Sequence, residues 1–404
     1  MPRRLLLSLG ACLALGAAPR GASAQPAPPS PRLTALDPAD LAALRPLALR
    51  GAAALVKVLE PADARAVVAM AVHAPLGVVH DVLVDGASWP QYIPAINTSQ
   101  LLSRHGNRAA YRFTTTGALL DLSATCTLTD VSPTRVDVGV TQSEFGPAGA
   151  RWDLYREGPS ETLVVLTTWA EPNRGHWLLR QAAVNPTYTI GMGVAVDLSL
   201  VQSAARRAST LAGHPVPVRP ANNSPPPGEL RPPPHGPWWT LVSHWYVLAF
   251  ELSPEGAVQQ VTGIAQTNVP PDQVIAHVSD LGRYHALLPP FHAEGITPGP
   301  QPDTLQATVR LDGSWDHAEG TVLRRSLGPT AVLLEGTSGE LTGTRWRWDT
   351  YQNPDQTTLL CLTGGVEPEV ASFFGRVAIA REPFLLGGLA ALRRLVWVRY
   401  LLPR

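Results

Sequence analysis

An internal repeat constrains this chain more than any other feature of it. Arg151-Trp152-Asp153-Leu154-Tyr155 recurs as Arg347-Trp348-Asp349-Thr350-Tyr351. Thr162-Leu163, Leu166-Thr167 and Glu171-Pro172 recur as Thr358-Leu359, Leu362-Thr363 and Glu367-Pro368, all at one offset of 196 residues. Upstream, Asp85 and Pro94 return as Asp280 and Pro289 at an offset of 195, so a single gap separates the two blocks. The period is far longer than any solenoid repeat, and each copy is expected to be a domain with its own core.

The rest of the layout follows from texture. Met1-Pro2-Arg3-Arg4, an apolar run from Leu5 to Ala18 and Ala22-Ser23-Ala24 are the three parts of a secretory signal peptide, which implies export to a periplasmic or extracellular space. A second reading takes Cys12, after Leu9-Gly10-Ala11, as a lipid-modified cysteine; an unusually short apolar region stands against it. Prolines dominate from His214 to Pro237, where extended polyproline geometry makes a semi-rigid spacer. The expected plan is therefore a signal peptide at 1–24, a Pro-rich start and short helix at 25–54, a first domain at 55–212, a linker at 213–237 and a second domain at 238–404.

Formal charge is zero, and loss of Arg3, Arg4 and Arg20 with the leader leaves 29 basic against 32 acidic residues. Without a basic excess to neutralise phosphates, nucleic-acid binding is not expected. Every other long apolar run carries charges or prolines, so no transmembrane helix is expected either. Cys126 and Cys361 occupy non-equivalent places in apolar strand-like runs, and they read as buried free thiols. No cysteine pair has metal-ligand spacing.

Along each copy the same order of elements is legible. Asp37-Pro38-Ala39-Asp40 gives a cap, a first-turn proline and an acidic first turn for a short helix ending near Leu44, before Pro46. Strands at Val56–Glu60 and Val67–His73 precede a helix through Val78–Asp85. Trp89-Pro90-Gln91-Tyr92-Ile93-Pro94 reads as irregular because of its prolines. Strands at roughly 97–104, 109–117, 120–131, 134–143, 149–156 and 161–170 follow, and a helix over about 186–208 closes the copy. The second copy repeats this: strands from Trp245 and Val258, a helix after Val269-Pro270, a loop from Tyr284 to Pro290, strands to about Gly364 and a final helix from Glu382-Pro383.

Ala74-Pro75, Val82-Leu83-Val84-Asp85 and Trp89-Pro90-Gln91-Tyr92-Ile93-Pro94, with Arg151-Trp152-Asp153-Leu154-Tyr155 as a late strand, resemble the START-like, or SRPBCC, helix-grip superfamily. Within it they are most similar to the polyketide cyclase/dehydrase, lipid-transport and coenzyme Q-binding type. Leu281-Gly282-Arg283-Tyr284-His285-Ala286-Leu287-Leu288-Pro289 keeps the shape but lacks the Trp-Pro. The resemblance implies an α+β chain of two tandem helix-grip domains, each a curved antiparallel sheet around a long C-terminal helix. It also implies a hydrophobic cavity between sheet and helix, lined by alternating strand residues.

Catalytic signals are thin. His277, His285 and His292 lie close in sequence without a carboxylate or cysteine at ligand spacing, so no metal and no cofactor is implied. Strand alternation puts Trp152 and Leu154 inward and Asp153 outward, which gives Asp153 and Asp349 a structural role. The candidate pocket residues are Trp89, Tyr92, Tyr111, Phe113, Trp152, Leu154, Tyr188 and Met192 in the first copy, and Tyr284, Trp315, Trp348, Phe384 and Leu389 in the second. Trp238, Trp239 and Trp245, at the junction of linker and second copy, are candidates for docking it onto a neighbour. The last helix carries Arg393, Arg394 and Arg399 among Leu, Val, Trp397 and Tyr400, a pattern for peripheral contact with anionic lipid or for a grip helix whose arginines face water.

The expected function is an exported, non-enzymatic protein that encloses a lipid, isoprenoid or quinone, or polyketide, with the loops near Trp89 and Tyr284 gating access. Two alternatives stay open: a polyketide cyclase or dehydratase, favoured by a polar dyad facing the cavity, and an envelope interaction module with filled pockets.

Overall fold

The computed structural model describes residues 33–57, 65–116, 121–176, 180, 186–215, 229–234, 236–253, 256–288, 291–312, 317–366 and 385–402. The leader, Cys12, most of the Pro-rich linker, Trp315 and Phe384 lie outside them. The first half runs α1 (Pro38–Arg50), β1 (Gly51–Lys57), β2 (Arg65–Val72), α2 (Leu76–Val84), α3 (Trp89–Tyr92), β3 (Ile96–His105), β4 (Arg108–Thr116), β5 (Asp121–Ser132), β6 (Arg135–Ser143), β7 (Ala148–Arg156), β8 (Thr162–Ala170) and α4 (Pro186–Leu211). The second half opens with a 3-10 turn (Pro237–Ser243). It continues with β9 (Tyr246–Leu252), β10 (Val258–Thr267), α5 (Pro271–Ser279), α6 (Tyr284–Leu287), β11 (Phe291–Pro298), β12 (Thr304–Asp312), β13 (His317–Gly328), β14 (Ala331–Gly336), β15 (Arg345–Gln352), β16 (Thr358–Gly365) and α7 (Leu385–Leu401).

These strands form one antiparallel sheet in the order β11-β12-β13-β14-β15-β16-β10-β9-β1-β2-β8-β7-β6-β5-β4-β3. Each half is a helix-grip unit: α4 lies on β2 and β8, α7 on β10 and β16, and each buries its apolar stripe against the inward face. The two units meet in a backbone ladder between β1 and β9, with Ala53 opposite Ala249 and Ala54 opposite Leu248. Because β1 and β9 have neighbours on both sides and cover on both faces, Ala52-Ala53-Ala54-Leu55-Val56 is apolar without alternation.

The outward face of the central strands carries a shared core. Ala53, Leu55, Leu163, Val247, Ile264 and Leu359 pack beneath α1 and beneath Trp238, Leu241 and Trp245. The tryptophans after the linker thus dock onto the first half. Trp245 Nε1 donates to Asp40 Oδ2 of α1 at 2.9 Å, and Lys57 and Arg65 lie 5.2 and 6.0 Å from its ring. Three local expectations are corrected. α1 continues through Pro46 to Arg50, because the proline removes one helical bond while Leu44, Leu47 and Ala48 stay buried on the same face. Trp89–Tyr92 is a turn of helix, since Pro90 sits in its first turn where no N–H partner is needed. The first hairpin strands begin earlier than expected, at Gly51 and Arg65, and its turn lies outside the described residues.

α4 and α7 cross at a pair of glycines. A Cβ built on Gly191 would fall 2.2 Å from Leu392, and one on Gly388 would fall 2.3 Å from the Cα of Ala195. The contacts are reciprocal, because Gly388 and Leu392 follow Gly191 and Ala195 at one offset of 197 residues. This crossing encloses the arginines of the last helix. Arg393 and Arg394 are buried, as are Val396, Trp397 and Val398, so these two arginines face neither lipid nor water, while Arg399 is half-buried and Tyr400 exposed. No described helix is long and apolar enough to cross a membrane.

Candidate functional site

Register assembles the first interior. Cross-strand neighbours point to the same face, so Thr168, Ala150 and Val138 share one inward row across β8, β7 and β6, and Leu166, Trp152 and Val136 share the next. Tyr111, Cys126 and Val140 form a third row on β4, β5 and β6. Trp89 closes over it, 5.8 Å from the Tyr111 ring and edge-on to Phe113 at 6.2 Å. The opposite wall is α4, whose Ile190, Val194, Leu198, Val201, Ala204 and Ala208 face the sheet.

The two interiors differ in how they are filled. In the first, Phe113, Val138, Val140, Ala150 and Leu200 pack on the core yet keep part of their surface accessible. At the repeat-equivalent places the second half has Val309, Leu334, Gly336, Trp346 and Trp397, all buried. Trp397 plugs that interior, with its ring 5.3 Å from Trp346, 5.7 Å from Phe291 and 6.3 Å from Tyr284. Leu341, in a short 3-10 turn, folds over Gly320 and Gly336 and fills the space further.

A second difference lies on the closing helices. Asp197, on the sheet-facing stripe of α4, is 3 % exposed. Its Oδ2 accepts a hydrogen bond from Thr168 Oγ1 at 2.5 Å. Burial pushes the carboxyl up to about 7, against the smaller opposite pull of that hydroxyl. At the equivalent place on α7 stands Arg394, fully buried, donating from Nη2 to the Gly365 carbonyl at 2.8 Å. Gly364 replaces Thr168 there, and a Cβ on it would meet Arg394 Nη2 at 2.0 Å. One half thus buries an acid where the other buries a guanidinium, and the strand residue beneath is sized to match.

The repeated Arg-Trp-Asp motif works on the outward face. Arg151 grips Asp153 through Nε and Nη2 at 2.7 and 2.8 Å and donates to the Leu33 carbonyl at 3.4 Å. Arg347 grips Asp349 in the same way and donates to the Leu230 carbonyl at 3.0 Å. The motif clamps the segment leading into each half, and burial raises the Asp349 carboxyl against the pull of Arg347.

Of the residues expected at a pocket, Trp89, Tyr111, Trp152 and Leu154 are buried in the first interior, with Tyr92 and Phe113 half-buried against it. Tyr92 donates to the Val82 carbonyl at 3.0 Å. Tyr284 and Trp348 are fully buried in the plugged second interior. Met192 packs against the second core rather than the first, because the tight crossing at Gly191 turns that side of α4 toward α7. Leu389 packs with Leu386 and Val366 in a small separate cluster. The side chain of Tyr188, like Trp315 and Phe384, lies outside the described residues. Trp89 and Tyr284 stand on short helical turns with their rings buried. The His285 and His292 rings lie 4.3 Å apart, and among the described residues no group of three or more His, Cys, Asp and Glu could hold a metal. Cys126 and Cys361 are buried free thiols, and burial pushes Cys126 up to about 12. Asp197 escaped the sequence reading. Its signal is an acid in the apolar stripe Ile190, Val194, Asp197, Val201, spaced by three and four residues.

No family model and no curated protein matches the chain. Among solved structures it is similar to the di-domain ARO/CYC StfQ from the steffimycin biosynthetic pathway, at 12 % identity and a TM-score of 0.28, over 82 % of this chain and 98 % of that one. It is similar to the di-domain ARO/CYC BexL from the BE-7585A biosynthetic pathway at 14 % identity and a TM-score of 0.27, over 84 % and 99 %. A START superfamily protein from Mycobacterium smegmatis matches at 15 % identity and a TM-score of 0.32, over 36 % of this chain and 98 % of its own. Each half has a helix-grip architecture, by the order of its elements and the long helix laid across the inward face of its sheet.

Proposed function

We propose that the chain encloses a hydrophobic small molecule in the interior of its first half, with the second half as a closed scaffold. One observation carries this reading. The inward Phe113, Val138, Val140, Ala150 and Leu200 keep accessible surface, whereas the second half closes every equivalent position, two of them with tryptophan. An apolar lining with few polar groups is the usual make-up of a small-molecule site. A lipid, isoprenoid or polyketide fits that lining equally well. The basic start, apolar run and Ala22-Ser23-Ala24 support export, so the proposed carrier works outside the cytoplasm.

The rival reading, an enzyme acting on such a molecule, is favoured by the Asp197–Thr168 pair, since a carboxyl near neutrality is competent for proton transfer. Among the described residues no second titratable side chain is hydrogen-bonded to Asp197, which favours enclosure over catalysis. The test borrows the plug of the second half. Native mass spectrometry of the purified protein, with organic extraction, is expected to find an apolar molecule on the wild type and none on Ala150→Trp. A wild type that carries nothing and takes up no apolar probe overturns the proposal.

A further inference from the structure

We infer that Asp197, set by Thr168, is the polar anchor of this interior, and that it holds neutral apolar ligands by a carbonyl oxygen in a step that takes up one proton. The inference rests on the enclosure reading above and names the ligand chemistry for it.

With Thr168 Oγ1 donating to Asp197 Oδ2 at 2.5 Å, the hydrogen of a neutral carboxyl is left to Oδ1. Among the described residues no side chain accepts from that oxygen. Thr168 is half-buried, and its cross-strand neighbour Ala150 is half-buried too, so the pair borders the inward row Thr168, Ala150 and Val138, which keeps accessible surface. A ligand acceptor placed there completes the set: Thr168 donates to Oδ2, and Oδ1–H donates to the ligand.

Ionic surroundings do not alter this. Asp197's own helix carries Arg206 and Arg207 further along, and the crossing helix carries Arg393 and Arg394. α2 brings His80 and Asp81, with Asp85 just after it; Tyr92, Tyr111 and Cys126 line the interior. Lys57, Arg65, Arg151, Asp153 and Arg156 belong to β1, β2 and β7. The carboxyl answers to burial first and to the Thr168 hydroxyl second. The ionised form becomes costlier when a neutral ligand seals the carboxyl from water, so binding draws a proton from solvent. A cationic amine would do the reverse and release one.

Two fluorescent probes test this on the full chain: prodan, a neutral naphthyl ketone, and diphenylhexatriene, a hydrocarbon without an acceptor. Prodan is expected to bind about tenfold more weakly at pH 8 than at pH 6, because the protonated fraction falls tenfold across a carboxyl titrating near 7. Asp197→Asn, whose amide still donates, keeps the affinity seen at pH 6 and loses the pH dependence. Asp197→Leu weakens prodan roughly fivefold at pH 6, the worth of one neutral hydrogen bond, and leaves diphenylhexatriene bound. Calorimetry of wild type with prodan at pH 8, in two buffers of different ionisation enthalpy, should count about one proton taken up, independently of any variant's folding. If both probes bind and Ala150→Trp excludes them, but prodan shows no pH dependence or no proton uptake, the anchor is refuted and the enclosure stands. If neither probe binds the wild type, the enclosure itself fails, and the anchor with it.

Discussion

At the residue scale, the buried carboxyl of Asp197 leaves a mark on stability. The Asp197 carboxyl titrates near 7 in the folded chain and at about 4 when unfolded. Folding therefore takes up a proton between those values. The contribution to stability is fully present below pH 4, drains as pH rises through 7 and is gone above it. Across that window the wild type should lose about 1.4 kcal/mol per pH unit through this one group. Asp197→Asn has no such loss, so denaturant unfolding at pH 5 and pH 8 should show the wild type weakening relative to the variant. Equal pH dependence in the two proteins would mean the carboxyl is not buried as described. The residue was overlooked in the sequence because a lone Asp between Val196 and Leu198 looks like an exposed position of an amphipathic helix. Only the register of the stripe puts it on the buried face. Trp152 and Leu154 were legible for the opposite reason, since strand alternation has a period of two and leaves one choice of face.

At the scale of elements, the repeat announced strands and helices well, because periodicity and turn residues are local. What it left out is contact between elements. β1, expected from Val56, starts at Gly51, since Ala52-Ala53-Ala54 has no polar face to mark a strand. The ladder from β1 to β9 joins residues about 195 apart and has no local signature. The crossing of α4 and α7 is equally hidden, although its glycines are visible once the 197-residue offset is applied. It yields a paired prediction. Gly388→Ala puts a Cβ 2.3 Å from the Cα of Ala195 and forces two helix backbones apart, which should cost roughly 1–3 kcal/mol. Gly193→Ala, in the same helix pair with nothing within 4 Å of its Cβ, should instead gain up to about 1 kcal/mol from helix propensity. Chemical denaturation of both variants separates packing from propensity, and a neutral Gly388→Ala would mean the helices are not in contact there.

At the scale of the whole molecule, the two halves meet as the subunits of a symmetric dimer do. Ala53 faces Ala249 and Ala54 faces Leu248, which is a reciprocal pairing under the repeat offset of 195. Gly191 meets Leu392 and Ala195 meets Gly388, which is reciprocal under the offset of 197. Contacts of this isologous kind are self-complementary and need no covalent link between partners. The shared outer core adds to them, with Trp238 and Trp245 of the second half packed against α1 of the first. Having two copies also lets them diverge: one interior keeps accessible surface and an acid, while the other is closed by Trp346 and Trp397 around a buried arginine. The two halves also share a ladder and a helix crossing that lie apart from the linker. A protease site placed within residues 216–228, and cut after folding, should therefore leave two fragments that elute together at the size of the intact chain. Thermal unfolding of the cut protein should remain one transition whose midpoint rises with concentration, as association demands. Fragments that separate on the column would show that the ladder and the helix crossing cannot hold the halves without the linker.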